Sequence, residues 1–321
     1  MQNLSAILSL IVALYQAWSI GANDETTAPV VSGRVLTVNQ AVLLGSVFGA
    51  LGAIFLGSNV QETIGKGFFN KPFAEEQMLV VLLSSSIWLT VVSYFGLAAS
   101  TTHSTIGALV GLGAISAGLG DMNMTTIVTI LGGWLISMPI GYVTTFLGTK
   151  IITRLKTNSR NANVFEQTCT KALILSTFIL EFSRWGNDVG SASGIIIGIL
   201  APTTTRVIVA IAMIFGLLTL GRIVVGNVGS RLVVLTPSAA LISQLAATPM
   251  IFVFAFIGIP LSGTHVMIAA MLGGAKALNA KTDIKLVRNF GVVWIMSFIV
   301  PALMAIVFMA IGSATGALIS K

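Results

Sequence analysis

The chain has 321 residues, a formal charge of +7 and a mean hydropathy of +0.97, with 55% apolar and only 8% charged side chains. A soluble domain carries about a quarter charged residues, so this composition excludes one. The alternating pattern of a membrane β-barrel is absent too. The positive charge lies between apolar runs, where membrane topology accounts for it better than a nucleic-acid partner does.

In chain order, the first half offers apolar segments at about 4–20, a short piece after 24, then 38–57, 77–98, 103–118 and 124–149. The second half offers about 167–185, 188–200, 203–221, 236–259, 264–278 and 289–317. Several reach the roughly 20 residues needed to cross about 30 Å of hydrocarbon. Glycines such as Gly45, Gly49 and Gly52, or Gly107, Gly111 and Gly113, allow close helix packing. The start, Met1-Gln2-Asn3-Leu4-Ser5, has no basic region and no cleavage site, so the first apolar stretch is expected to be retained. The single cysteine, Cys169, excludes an intramolecular disulfide framework. The expectation is an all-α polytopic membrane protein, multi-pass in the cell (plasma) membrane.

Between the halves lies the most polar stretch, with Lys150, Arg154, Lys156 and Arg160. It divides the chain into a first transmembrane repeat at 1–149, a basic linker at 150–166 and a second transmembrane repeat at 167–321. A second basic loop carries Lys276, Lys281, Lys285 and Arg288, and the positive-inside rule puts both in the cytoplasm. If each half crosses an odd number of times, the repeats are inverted and both termini lie outside. The expected total is about 10–12 membrane segments, including broken or re-entrant helices covered by protein or a water-filled cavity.

Two polar motifs each occur twice. Gly21-Ala22-Asn23-Asp24 is matched by Gly186-Asn187-Asp188, and Ser100-Thr101-Thr102-His103 by Ser262-Gly263-Thr264-His265. Leu56-Gly57 and Ile64-Gly65 return 164 positions later as Leu220-Gly221 and Val228-Gly229, the offset that also separates Asn23 from Asn187. Such duplication in a membrane chain points to a transport site between repeats. A carboxylate in a membrane segment costs roughly 2.5–3.5 kcal/mol on insertion scales, so Asp24 and Asp188 should face a cavity or a partner. With Asn23, Asn187, the hydroxyls of Thr27 and Ser191 and unwound carbonyls they form an all-oxygen set. This suits Na+, or a proton on the carboxylate; helix capping is the plainer alternative. The Ser/Thr-His motifs each precede a helical segment, whose free N–H groups and dipole suit an oxyanion. Ser100, Thr101, Thr102, Ser262, Gly263 and Thr264 are therefore the anion candidates, and His103 and His265 are supporting or structural. Arg184 pairs with Glu181 or Asp188, or draws in an anion.

These motifs resemble the PiT family of inorganic phosphate transporters, whose duplicated signature is Gly-Ala-Asn-Asp-Val-Ala-Asn followed later by Pro-(Val/Ile)-Ser-Thr-Thr-His. The first signature is matched by residues 21–24 and in part by Asn187-Asp188-Val189. The second is matched by residues 100–103 and by Ile259-Pro260-Leu261-Ser262-Gly263-Thr264-His265, where Gly263 replaces Thr. Leu235-Thr236-Pro237-Ser238 and Thr63-Ile64-Gly65-Lys66-Gly67 also resemble family segments. Both copies put a hydroxyl, Thr27 or Ser191, where the family has its second Asn. The resemblance implies a secondary transporter and no enzyme: phosphate symport by alternating access, coupled to Na+ (or H+), without a cofactor. Its partners would be phosphate, Na+, the lipid bilayer and, in assembly, a homodimer. It also implies a minimal protein, with the family's large central cytoplasmic region reduced to the basic linker. Sulfate or another oxyanion is the alternative cargo within the family. An intramembrane aspartyl protease is the alternative outside it, and that needs two bare carboxylates side by side. The topology is checked by cysteine accessibility. A cysteine at Asn158 should be labelled from the cytoplasmic side, and labelling from outside alone would overturn the inverted arrangement.

Overall fold

The computed structural model describes residues 2–69, 71, 74–116 and 122–314. It contains fourteen α-helices among these residues. In the first half they are α1 (Gln2–Ala22), α2 (Ala28–Ser32), α3 (Val38–Phe55), α4 (Ser58–Lys66), α5 (Glu75–Tyr94), α6 (Thr101–Ser116) and α7 (Met124–Thr157). In the second half they are α8 (Ala162–Asp188), α9 (Gly190–Ser193), α10 (Pro202–Gly216), α11 (Arg222–Gly226), α12 (Pro237–Phe256), α13 (Gly263–Leu278) and α14 (Ile284–Ala314). The segment ends expected at 118 and 317 lie outside the described residues. Among the described residues six stretches are long and apolar enough to cross a membrane, and the longest, Met124–Thr157, has 34 residues.

The molecule is apolar outside and carries many polar groups within. Leu135, Phe55, Ile295 and Val128 are all more than half exposed, a surface that suits lipid and not water. The buried interior joins an apolar core, with Ile20, Leu82, Leu109 and Trp185 in it, to buried Asn, Asp, Glu, Ser, Thr and Arg side chains.

The halves interlock reciprocally. α1 packs on α10 while α8 packs on α3; α1 and α8 also take α5 and α12 as neighbours. α6 lies against α14 and α13 against α7, so each half sends a helix into the other. Glycine makes the closest approaches possible. A Cβ on Gly52 would lie 1.9 Å from the Phe182 carbonyl oxygen, and one on Gly216 would lie 1.9 Å from that of Trp18. Both the glycines and their carbonyl partners are 164 positions apart, so one contact is built twice.

The repeats differ at one seam. The first half breaks its helix at Leu56-Gly57 before α4, whereas the second runs from Pro202 to Leu232 through π turns at Leu217–Gly221 and Asn227–Leu232. π turns absorb extra residues without ending the helix. Residues 150–166 are divided: α7 continues to Thr157, and α8 starts at Ala162 under an Asn161 cap whose side chain accepts from the N–H groups of Asn163 and Val164. Lys156 pairs with Glu166 at 3.0 Å across the turn between them.

A methyl group at either duplicated glycine contact should lower stability by about 1–3 kcal/mol, the usual effect of overpacking. Gly52→Ala and Gly216→Ala should each reduce the apparent melting temperature of the purified protein. Gly132→Ala, with nothing within 4 Å of the added carbon, should not.

Candidate functional site

The two Asn-Asp motifs end long helices, and their amides perform the same task in each half. Asn23 donates to the Ser93 hydroxyl (2.8 Å) and the Leu97 carbonyl (3.0 Å), and its Oδ1 accepts the Ala99 N–H (2.9 Å). Asn187 donates to the Ile259 carbonyl (3.3 Å) and accepts the Leu261 N–H (3.2 Å). Each amide thus fixes the extended segment that enters the Ser/Thr-His helix of its own half. An amide oxygen has two lone pairs, so a second interaction stays open to each Oδ1.

Those segments deliver the starts of α6 and α13 to a common centre. Each helix has 16 residues, about 24 Å at 1.5 Å per residue, too short to span the hydrocarbon alone. Ser100 and Ser262 accept the N–H groups of His103 (3.1 Å) and His265 (3.4 Å), and Ser100 Oγ also lies 3.1 Å from the Thr102 hydroxyl. The two imidazole rings meet with centroids 4.5 Å apart. Trp134 stacks on His103 at 3.5 Å and Trp294 packs on His265 at 4.3 Å. The indoles then cross over. Trp134, from the first half, donates to the Pro260 carbonyl (3.1 Å), and Trp294, from the second, to the Ala98 carbonyl (3.1 Å). These tryptophans, 160 positions apart, escaped the motif reading although the repeat marks them.

The carboxylates are held asymmetrically. Asp24 accepts the N–H and hydroxyl of Thr26 on one oxygen and the Trp185 indole N–H (2.6 Å) on the other. Asp188 accepts the Thr101 hydroxyl (3.1 Å) and pairs with Arg184 Nε (2.9 Å). Of the two pairings expected for Arg184, the structure therefore holds the one with Asp188. Its Nη2 donates to Thr264 Oγ1 (2.9 Å) and lies 3.9 Å from Glu25 Oε1. The Thr264 hydroxyl has the Ala99 carbonyl (3.0 Å) and Glu25 Oε2 (3.2 Å) as acceptors. Gly263 is explained by the same arginine, because a Cβ there would lie 1.9 Å from Arg184 Nη1. Arg184 thus occupies the space of the side chain that the resemblance leads one to expect.

Thr27 and Ser191 are buried, and neither hydroxyl has a hydrogen-bond partner among the described residues. Glu25 and Glu181 join the same interior, each 0% exposed. Glu25 stands just after the first Asn-Asp motif, outside the duplicated residues, and neither glutamate has an acidic counterpart in the other repeat that could have marked it. Four carboxylates, Asp24, Glu25, Glu181 and Asp188, therefore surround one guanidinium. Among the described residues no three His, Cys, Asp or Glu side chains converge as a metal cluster. A cation held here would take most of its ligands from hydroxyls, amides and backbone carbonyls, a donor set that suits Na+ better than a transition metal.

Comparison with known proteins bears on what such a site serves. The phosphate transporter family matches residues 20–305. A relative from Arabidopsis thaliana, named "Inorganic phosphate transporter 2-1, chloroplastic", is 23% identical over 94% of this chain and 71% of its own length. One from Rhizobium meliloti, named "Probable low-affinity inorganic phosphate transporter", is 26% identical over 92% of this chain and 93% of its own. A solved structure titled "The sodium-dependent phosphate transporter" shares the fold with a TM-score of 0.84 at 22% identity, covering 98% of this chain and all of that one.

The crossed indoles should contribute equally. Trp134→Phe and Trp294→Phe keep an aromatic face on each histidine but leave one buried carbonyl without its donor. Each should cost about 1–3 kcal/mol of stability, read as matching falls in melting temperature. A fall in one variant alone would show that the two contacts are not equivalent.

Proposed function

The chain belongs to the phosphate transporter family, and we propose that it moves inorganic phosphate through the cell membrane together with a cation, most favourably Na+, by alternating access at the interface of two inverted repeats. The observation that carries this reading is the meeting of two helix starts with a cluster of four buried carboxylates around a single arginine. Helix starts and hydroxyls attract an oxyanion. The carboxylates repel it unless cations accompany it.

In this reading Ser100, Thr101, Thr102, Ser262, Gly263 and Thr264 contact the phosphate through hydroxyl and N–H groups, with His103 and His265 behind them. Asn23, Asp24, Asn187 and Asp188 ligate the cations. Arg184 neutralises Asp188 and stands at the start of α13, so it contributes a fixed positive charge to the anion's surroundings. Cation and phosphate then strengthen each other's binding by the same factor, as linkage requires.

The test is radiolabelled phosphate uptake into proteoliposomes, with Na+ and proton gradients imposed separately and sulfate as competitor. Uptake should follow the Na+ gradient and resist excess sulfate. Equal inhibition by sulfate would make the cargo a general oxyanion, and uptake driven by protons alone would remove Na+ coupling. Thr102→Val should weaken phosphate binding about 10- to 100-fold, the loss of one hydrogen bond to a charged group. Asp24→Asn should shift the Na+ dependence to higher concentration. A shift in neither variant would leave these residues as structural caps.

A further inference from the structure

Where the helical run from Pro202 ends at Leu232, the chain forms a small frame of extended backbone. Val233 pairs with Thr282 in an antiparallel bridge, and Asp283 donates its N–H to the Leu232 carbonyl (3.0 Å). The Ser32 hydroxyl donates to the Val233 carbonyl (2.8 Å) and accepts the Leu235 N–H (3.1 Å). This frame floors a cleft of about 580 Å³ whose walls include Arg231, Val234, Lys281, Thr282 and Ile284. Neither extended backbone nor exposed Arg and Lys is tolerated against lipid tails, so the cleft belongs at headgroup depth. It opens beyond the end of α13, whose 16 residues, about 24 Å, separate it from the Ser/Thr-His helix starts.

The cleft joins positive charge to an apolar strip. Arg231 and Lys281 are exposed, and Lys285 and Arg288 follow on the first turns of α14. None of the four has an ion pair among the described residues. The carboxylate on the wall, Asp283, is engaged in accepting the Leu286 N–H (3.0 Å). Ile284 is 71% exposed and begins the outward stripe of α14 that Val292, Ile295 and Ile299 continue. An oxyanion against Arg231 and Lys281 therefore stands at the head of a lipid-facing strip. Free phosphate would use the cations alone, whereas a phosphate carrying acyl chains uses both features. We propose that this cleft binds an anionic phospholipid, its phosphate against Arg231 and Lys281 and its acyl chains along Ile284 and α14. Basic pockets between membrane helices suit such headgroups. The positive-inside rule asks only for cations in this loop; it asks for neither a cleft nor an apolar strip leading from it.

The experiment is native mass spectrometry of the purified protein, counting the lipid retained from micelles that hold phosphatidylglycerol and phosphatidylcholine in equal amounts. Folding is judged by elution as a single species on gel filtration. The parent should retain phosphatidylglycerol in preference to phosphatidylcholine, and no preference overturns the proposal. Arg231→Gln combined with Lys281→Gln should lose that lipid or hold it at least about tenfold more weakly, as two headgroup cations account for. Ile284→Ser keeps every charge and should weaken the same lipid by removing its apolar contact. Parent-like retention in either variant overturns the site, and Ile284→Ser decides alone if the double variant does not fold. Arg154→Gln combined with Arg160→Gln removes equal charge from the other basic stretch and should leave retention unchanged. An equal loss there would reduce the effect to general attraction and overturn the site. Complete displacement by millimolar inorganic phosphate would make the cleft a free-phosphate site and overturn the lipid assignment. Every readout is binding without transport, so it stands or falls independently of the symport reading.

Discussion

A guanidinium closed off from solvent among four carboxylates is the constraint to which the rest of the interior answers. Arg184 is 1% exposed, and an isolated charge at that depth would be prohibitively expensive. Its contacts therefore reach into several parts of the chain at once: Asp188 on its own helix, Glu25 beyond α1 and Thr264 at the start of α13. Gly263 yields its side-chain space to it, and Thr264 is fixed by it. A buried ion pair is weak evidence for stability. Here its placement between the two halves bears more on function, because it pairs with one of the two motif aspartates and not with the other.

That placement makes the two half-sites unequal although the fold builds them alike. Asp188 has a resident positive partner, while Asp24 is satisfied by an indole, a hydroxyl and a backbone N–H, all neutral. The neutral set of donors supports Asp24 without giving it a positive partner. The duplication supplies two equivalent positions, and the substitutions around α8 give them different electrostatics.

Much of the architecture is legible in the sequence, because apolar length and the 164-residue offset report directly on span and repeat. The helix starts at Thr101 and Gly263 and the burial of both Asn-Asp pairs fall where the motifs point. The central helical turn is less legible: polar residues at 150–166 read as a linker, but charged side chains at helix ends are also what solvent-facing turns of α7 and α8 require. Glu181, Glu25 and Trp185 escape for a different reason. Each breaks the repeat instead of following it, and the contacts that give each its meaning lie across the fold: Trp185 to Asp24 spans 161 residues and Thr264 to Glu25 spans 239. The role of Gly263 is hidden likewise, since it depends on an arginine 79 positions earlier.

The crossed tryptophans bear on how such a duplicated protein can be assembled. Trp134 steadies the backbone before Ser262, and Trp294 steadies the backbone before Ser100, so each half holds the segment that enters the Ser/Thr-His helix of the other. A repeat synthesised alone would carry its motif but lack the indole that positions it. The two copies are thus committed to one another, and their fusion in a single chain guarantees the one-to-one supply that this exchange demands.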